Sequence, residues 1–333
     1  MKRPFAFCRQ FLFCAMLTVP MLAQAQQPLH LVSTPWSPFT NAPGKPRFAI
    51  DLVLEALKRA GIAADSAIVE EGKLTPSLLK GEFDGSAALW KDDERVKALV
   101  YSQPYLENRL VLVGQKGSDV SATKLAELSG KRVALVEGYA YGDAIKSPTG
   151  PIYVPSTSEE DSLQKVLNGD AAYTLMDEIV VEYLLKNYAE QAKTRLAFGS
   201  VPLIVRSLHF AIRRDLPNAV SLVDRFNAQI IGMIADHTYH RLLQVDWIQA
   251  DVDGDGLTEY VPRDDRAGPL PPERGYSILS IDQAKGPATP TKRYYFGGNV
   301  YQSWSNVPDK YTAPLPPGGA SRGAEFPIFT FKF

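Results

Sequence analysis

The chain has 333 residues, of which 45% are hydrophobic and 22% are charged, a balance that is typical of globular proteins and excludes a largely disordered chain. The length allows two domains. A formal net charge of -1 gives no indication of binding to nucleic acid or to an anionic membrane surface.

The N-terminal residues 1–25 have the pattern of a secretory signal peptide. Three basic side chains come first, residues 11–22 form an apolar core, and residues 23–25 (Ala-Gln-Ala) form a small-x-small cleavage site. The apolar core is too short for a stable membrane span, and the bulky Phe13 before Cys14 argues against lipoprotein-type cleavage. We therefore predict an exported protein without a lipid anchor. Since Cys8 and Cys14 both lie in the predicted leader, the mature chain would contain no disulfide.

Alternating short apolar runs and helical patterns follow, which predict an α/β fold. Residues 29–33 indicate a first strand, and Trp36 follows its end. Apolar side chains at helical spacing over residues 50–57 predict a core helix, and Gly61 lies beyond its end. Trp36 can belong either to a ligand site or to the edge of the core.

The stretch over residues 79–105 places a charged segment directly after a buried strand. Residues 85–90 are small and apolar, and Lys91 to Arg95 carry the charges. Open α/β sheets bind ligands at such strand ends, and a guanidinium can hold a carboxylate with two parallel hydrogen bonds. Arg95 is therefore a candidate ligand-binding residue, although a solvated charged turn is the alternative interpretation.

The next segment repeats this alternation. Strands are predicted at residues 110–113, 132–136 and 171–175, and Asp177 stands at the end of the last one. Asp177 can cap the helix predicted over residues 178–186, or it can face a ligand. A return strand is predicted over residues 203–213, followed by a long helical pattern from Pro217 to Trp247.

A set of motif residues resembles the bacterial extracellular solute-binding proteins of family 3. The resemblance covers about residues 29–247. Its motif residues are Gly81, Asp84, Arg95, Tyr101, Ser102, Pro104 and Tyr105. It implies a two-lobed periplasmic binding protein of type II, in which each lobe is a mixed sheet flanked by helices and two hinge crossings join the lobes. The expected domains are lobe 1 (residues 26–113 and 204–250), lobe 2 (residues 114–203) and a C-terminal extension.

The resemblance also implies the roles of individual residues. Arg95 would hold the carboxylate of the ligand, Asp177 its ammonium group, and Trp36 would stack on its side chain. Tyr139 stands where the family has a threonine beside a strand–glycine–helix corner, and Trp90 stands where it often has a small hydroxyl residue. These departures narrow the pocket or change its polarity, so the ligand is an amino acid or another small carboxylate.

The resemblance implies a monomeric periplasmic receptor that passes its ligand to an inner-membrane ABC permease and requires no cofactor. We do not expect an enzyme, because the common hydrolase, metalloprotease and phosphate-loop motifs are missing from the sequence. One alternative is a lyase of the cyclohexadienyl-dehydratase kind, with Glu137 as general acid. Another is a receptor that reports to a membrane sensor.

The acidic segment over residues 251–262 resembles a short calcium loop. Its predicted oxygen ligands are Asp251, Asp253, Asp255, the Leu257 carbonyl and Glu259. An acidic turn without a metal is the alternative, since Pro262 stands where a full EF-hand loop has its bidentate glutamate. Residues 263–333 form a Pro/Gly-rich extension, in which alternating aromatic residues indicate one or two strands.

Overall fold

The computed structural model describes residues 27–273, 275–277 and 289–314. The predicted signal peptide and part of the C-terminal extension therefore lie outside the described residues. No helix in the described ranges has the length and apolar character needed to cross a bilayer.

The first lobe contains a mixed sheet of order β2-β1-β3-β9, with β4 paired to the end of the long strand β9 (Leu196–Arg213). Strands β1, β2 and β3 are parallel, and β9 runs antiparallel to β3. Helices α1 and α7 cover this lobe with apolar faces. Its elements are β1 (Leu29–Ser33), α1 (Phe48–Arg59), β2 (Ala64–Ile68), α2 (Glu71–Lys80), β3 (Gly85–Leu89), α3 (Arg95–Ala98), β4 (Leu99–Tyr101), α7 (Ala219–Ala235) and α8 (Thr238–Leu243).

The second lobe continues the sheet in the order β9-β5-β8-β6-β7. Strand β5 is antiparallel to both β8 and β9, whereas β6 is parallel to β7 and β8. Short 3-10 helices at Leu125–Leu128 and Asp143–Lys146 connect the strands. The elements are β5 (Leu106–Gln115), β6 (Arg132–Val136), β7 (Ile152–Ser156), α4 (Glu159–Asn168), β8 (Tyr173–Asp177), α5 (Glu178–Asn187), α6 (Ala189–Arg195) and β9 (Leu196–Arg213).

Strands β5 and β9 are the two connections between the lobes. Leu106 of β5 pairs with Leu208 of β9, beside the first-lobe strands, whereas residues 110–114 of β5 pair with β8 of the second lobe. The exchange of partners takes place within continuous strands, so the chain passes between the lobes without a loop. The lobe boundaries at 113/114 and 203/204 remain predictions.

The long helix predicted from Pro217 to Trp247 is wrong in its second half. Helix α7 ends at Ala235, because His237 has a left-handed backbone with φ 61°, and α8 is a separate short helix. Gln244, with φ 58°, ends α8 in the same way. Trp247 consequently starts a strand instead of ending a helix.

The described part of the C-terminal extension folds with residues 247–262 into a second sheet of order β12-β10-β11-β13-β14. The predicted aromatic strands are present, and the stacked rings of Tyr260 and Tyr294 lie 5.7 Å apart between neighbouring strands. Tyr276 connects this sheet to the lobes, since its buried hydroxyl donates to the carbonyl of Glu107 in β5. The elements are β10 (Trp247–Ala250), β11 (Leu257–Pro262), β12 (Tyr276–Ser277), β13 (Thr289–Phe296), β14 (Asn299–Tyr301) and α9 (Asp309–Thr312).

Candidate ligand-binding site

The C-terminal ends of strands from both lobes meet at one cleft. Open α/β sheets bind their ligands at this end of the strands. Trp36 follows β1 and Trp90 follows β3 in the first lobe, whereas Tyr139 follows β6 in the second lobe. Glu159 begins α4 directly beyond β7. The fold therefore brings together side chains that are far apart in the sequence.

An aromatic cluster joins the lobes across this cleft; it consists of Trp36, Trp90, Tyr139 and Tyr141. The ring centroids of Trp36 and Trp90 are 5.4 Å apart, and both lie 5.7 Å from Tyr139. Tyr141 lies 5.7 Å from Trp90, and its hydroxyl accepts the backbone N–H of Val136. Such edge contacts suit the quadrupoles of the rings, so the four rings together form an aromatic wall of the cleft.

The second lobe approaches the first closely at Gly138. This glycine has φ +83°, and a Cβ there would lie 3.3 Å from the Cγ atom of Glu71 in α2. A residue with a side chain would meet both backbone strain and crowding. Glycine at this position therefore allows the corner after β6 to reach α2.

The cleft encloses a cavity of about 40 Å³. Trp36, Trp90, Arg95 and Tyr139, four of the residues predicted to bind ligand, line it together with Glu71. Small-molecule pockets usually measure about 300–1,000 Å³. An amino acid can therefore enter only if the lobes separate or the rings move aside.

Arg95 lies in the cavity wall and is only 7% exposed, which does not fit a solvated turn. Its Nε atom donates to Asp92, and its Nη2 atom donates to the carbonyl of Trp90 at 3.1 Å. Asp92 also accepts the backbone N–H of Arg95 at 2.9 Å. These contacts fix the guanidinium against the cavity before any ligand arrives.

Arg206 is a second cation beside the aromatic cluster, and no motif in the sequence singles it out. It comes from β9; its Nη2 atom donates to the carbonyl of Lys91 at 2.7 Å, and its guanidinium carbon lies 6.0 Å from the ring of Trp90. Burial lowers the pKa of Arg206. It therefore supports Trp90 from the hinge strand.

Asp177 is fully buried and does not line the cavity. Its Oδ1 atom accepts the N–H of Ile179 at 2.7 Å and caps α5, which confirms the helix-cap interpretation. Its Oδ2 atom accepts from the side chain of Asn108 and from the N–H of Arg109, both at 3.0 Å. Burial raises the pKa of Asp177 to about 7, while these three donors act to lower it. Contact of Asp177 with a ligand stays a prediction.

Asn108 connects Asp177 to the cavity wall. The indole N–H of Trp90 donates to Oδ1 of Asn108 at 2.7 Å. Because an indole can only donate, this bond sets the orientation of the Asn108 amide and turns its NH₂ group toward Asp177. Trp90 is therefore held by a polar chain that ends in the buried carboxylate.

The sequence interpretation missed two acids at the cleft, Glu71 and Glu159. Glu159 accepts the indole N–H of Trp36 at 2.7 Å, a bond that crosses between the lobes. Burial raises the pKa of Glu159 well above its usual range. Burial also raises the pKa of Glu71, although a hydrogen bond from Thr34 and the charge of Arg95 act to lower it. Acidic residues in the first turn of a helix are common for electrostatic reasons alone, so nothing local distinguishes them. Glu137, the acid considered for lyase chemistry, is exposed and lies outside the cavity lining.

The model of the bacterial extracellular solute-binding proteins, family 3, matches residues 31–250. This chain belongs to that family. The family match confirms the resemblance seen in the motif residues, and it ends with β10, the first strand of the C-terminal sheet in chain order. A comparison with curated protein sequences found no match.

Solved structures with the same two-lobed fold confirm the predicted architecture of this family 3 protein. An arginine transport-system periplasmic binding protein from Legionella pneumophila has 22% identity, covers 66% of this chain and 99% of its own, and has a TM-score of 0.55. The GluR0 ligand-binding core from Nostoc punctiforme, solved with L-glutamate, has 17% identity, covers 65% and 97%, and has a TM-score of 0.54. The VFT2 domain of BvgS from Bordetella pertussis has 20% identity, covers 65% and 91%, and has a TM-score of 0.53.

The acidic loop of this family 3 protein lies in the C-terminal sheet, away from the cleft residues. Carboxylate oxygens of Asp251, Asp253 and Glu259 lie within 4.8 Å of one another, as a calcium site requires. Arg293 of β13 pairs with both oxygens of Asp255, at 2.7 and 3.0 Å, and with Glu259. A guanidinium thus already neutralises part of the predicted ligand set, and calcium binding stays a prediction.

Proposed function

We propose that this protein is a periplasmic receptor that captures a small carboxylate-bearing solute, an amino acid in the first instance, between its lobes. Arg95 is the observation that carries the proposal. It is a buried guanidinium in the cavity wall, held by Asp92 and by a carbonyl, and a ligand carboxylate is the natural partner for such a group. Trp36 and Tyr139 then cover the body of the ligand from opposite lobes.

The arrangement of the connections supports a hinge mechanism. Strands β5 and β9 pass side by side between the lobes, so that a small bend in two strands separates the aromatic cluster and opens the cavity. Closure around a ligand is a common form of domain motion. We propose that the closed form is the one delivered to an ABC-type permease, with the receptor acting as a monomer in the periplasm.

The solved relatives support an amino-acid ligand. One of them is a binding protein of an arginine transport system, and another was solved with L-glutamate. The family and these relatives are binding proteins, and the acid considered for a lyase is not in the cavity. We therefore propose binding without catalysis.

A thermal-shift screen of the purified protein against amino acids and small organic acids tests this proposal. A ligand at 100 times its dissociation constant adds about 2.7 kcal/mol to the free energy of unfolding, which raises the midpoint by several degrees. The shift should disappear in Arg95→Ala and persist in Arg132→Ala, which removes an exposed arginine. Absence of a shift with every compound would contradict the receptor, and turnover of prephenate would support the lyase instead.

A further inference from the structure

One face of the C-terminal sheet carries a cluster of aromatic side chains, which we call the aromatic face. The rings of Trp247 and Tyr294 lie 6.2 and 5.1 Å from that of Trp304, and Phe296 stacks on Tyr311 with 5.1 Å between the ring centroids. Among the described residues this face is only partly covered, because five of its rings remain half-buried. These rings belong to Trp247, Tyr260, Tyr301, Trp304 and Tyr311.

Strand β14 is an outer strand of the same sheet. It pairs with β13 through Tyr301 opposite Tyr294 and Asn299 opposite Phe296, and side chains of directly opposed residues lie on the same face of a sheet. No other described strand pairs with the second edge of β14. An unpaired edge beside half-exposed rings is a suitable place for one more strand.

The last described residues lie beside the aromatic face. The carbonyl of Tyr311 accepts the backbone N–H of Ala267 at 2.8 Å, and a side chain at Gly297, in the turn before β14, would collide with the Tyr311 hydroxyl. Pro314 follows three residues later. Residues 315–325 span up to about 36 Å when extended, whereas neighbouring strands lie about 4.8 Å apart. The residues after position 325 can therefore reach the edge of β14.

A proline-rich segment already contacts this face. The indole N–H of Trp304 donates to the carbonyl of Pro269 at 3.3 Å, and aromatic surfaces commonly bind segments that are rich in proline. Pro269 begins the tetrapeptide Pro-Leu-Pro-Pro, and the same tetrapeptide recurs at residues 314–317. The second copy begins beside the face that contacts the first copy, so the recurrence favours a path of the following chain along the same surface.

Residues 326–333 have the sequence Phe-Pro-Ile-Phe-Thr-Phe-Lys-Phe and contain four of the 15 phenylalanines of the chain. Phe329, Phe331 and Phe333 alternate with Thr330 and Lys332, and this period of two is typical of a strand with one apolar face. A segment of this kind tends to aggregate when it is left in water. Its pattern therefore calls for an apolar surface and a strand edge to pair with.

We propose that residues 329–333 add a sixth strand to the C-terminal sheet beside β14, with Phe329, Phe331 and Phe333 extending the aromatic face. The segment comes from the same molecule, because Pro314 already lies next to this face. The docking surface is separate from the cleft between the lobes, so the inference is independent of the proposed receptor function.

Hydrogen exchange of the full-length mature protein, measured by mass spectrometry, tests the inference. The amides of residues 329–333 should exchange at least about tenfold more slowly than they do in a free peptide of the same sequence. Removal of residues 326–333 should speed exchange in β14, and addition of the free peptide should slow it again.

Substitutions on the two sides of the proposed strand provide a matched comparison. Phe329→Ser, Phe331→Ser and Phe333→Ser together should abolish the protection of the segment and speed exchange in β14. Thr330→Ser with Lys332→Ser changes the opposite side of the strand, so this double variant should retain the protection.

Three results would overturn the inference. The first is exchange of residues 329–333 at the rate of the free peptide in the unaltered protein, whatever the variants do. The second is unchanged exchange in β14 after residues 326–333 are removed, since the segment would then lie elsewhere. The third is protection that disappears on dilution, which would assign the edge of β14 to a second copy of this chain.

Discussion

Asp177 provides a direct test of the polar chain behind the cavity wall. The substitution Asp177→Ala removes the cap of α5, which should cost about 0.5–2 kcal/mol. It also leaves the fully buried amide of Asn108 and the partly buried N–H of Arg109 without their acceptor, and each such donor should cost about 1–3 kcal/mol. We expect a total loss of about 2.5–8 kcal/mol in the free energy of unfolding. For a chain of this length, this corresponds to a decrease of roughly 4–12 °C in the unfolding midpoint.

Circular dichroism and urea unfolding measure this loss, with Asp143→Ala as the control. Asp143 is an acid whose side chain is 93% exposed and pairs only with Lys146 among the described contacts, so its removal should leave the free energy of unfolding almost unchanged. Burial raises the pKa of Asp177 from its usual 3.8 to about 7, so the folded protein binds this proton more tightly than the unfolded chain. The stabilisation from that proton is complete below pH 4 and is lost as the pH rises toward 7. The difference between the unaltered protein and Asp177→Ala should therefore be larger at pH 5 than at pH 8. A loss below about 1 kcal/mol, or a difference that grows with pH, would refute this reasoning.

Two further predictions concern protons and calcium. Burial lowers the pKa of His209 to about 4 and that of His240 to about 3. The unfolded chain therefore binds a proton at these histidines more tightly than the folded protein does. The stabilisation that the two neutral histidines provide is present above pH 6.5 and is lost as the pH falls toward 4. His240→Gln should reduce this slope by up to about 1.4 kcal/mol per pH unit in urea unfolding. A slope equal to that of the unaltered protein would contradict this prediction. Calcium must compete with Arg293 for the carboxylates of the acidic loop. Ca²⁺ should therefore raise the unfolding midpoint of Arg293→Gln more than that of the unaltered protein, and a chelator should reverse this increase. If Ca²⁺ shifts neither midpoint, the loop is an acidic turn.

Much of the cavity wall could be predicted from the sequence, because its residues directly follow buried strands. Trp36, Trp90, Arg95 and Tyr139 each lie a few residues beyond a strand end, and the structure brings all four together. Asp177 follows the same rule but turns its carboxylate into the protein, because a helix N-terminus and a buried asparagine both require an acceptor there. Strand position therefore predicts which residues approach a cleft, but it does not predict which side chains face it.

Contacts between distant segments could not be predicted in this way. Glu159 becomes part of the site only because its helix meets Trp36 of the other lobe, and no short-range pattern encodes that meeting. The C-terminal sheet was equally hidden, since β10 pairs with strands from both sides of an irregular, proline-rich segment. The helical pattern consequently extends to Trp247, although this residue starts strand β10 of the C-terminal sheet.

Tyr276 gives the C-terminal sheet a mechanical connection to the rest of the molecule. Its side chain donates a hydrogen bond to Glu107, which lies in one of the two strands that join the lobes. If the lobes separate as proposed above, a bend in that strand would move Tyr276 or break its hydrogen bond. The proposed opening of the cleft would then change the position of the C-terminal sheet, on a part of the surface that does not contact the ligand.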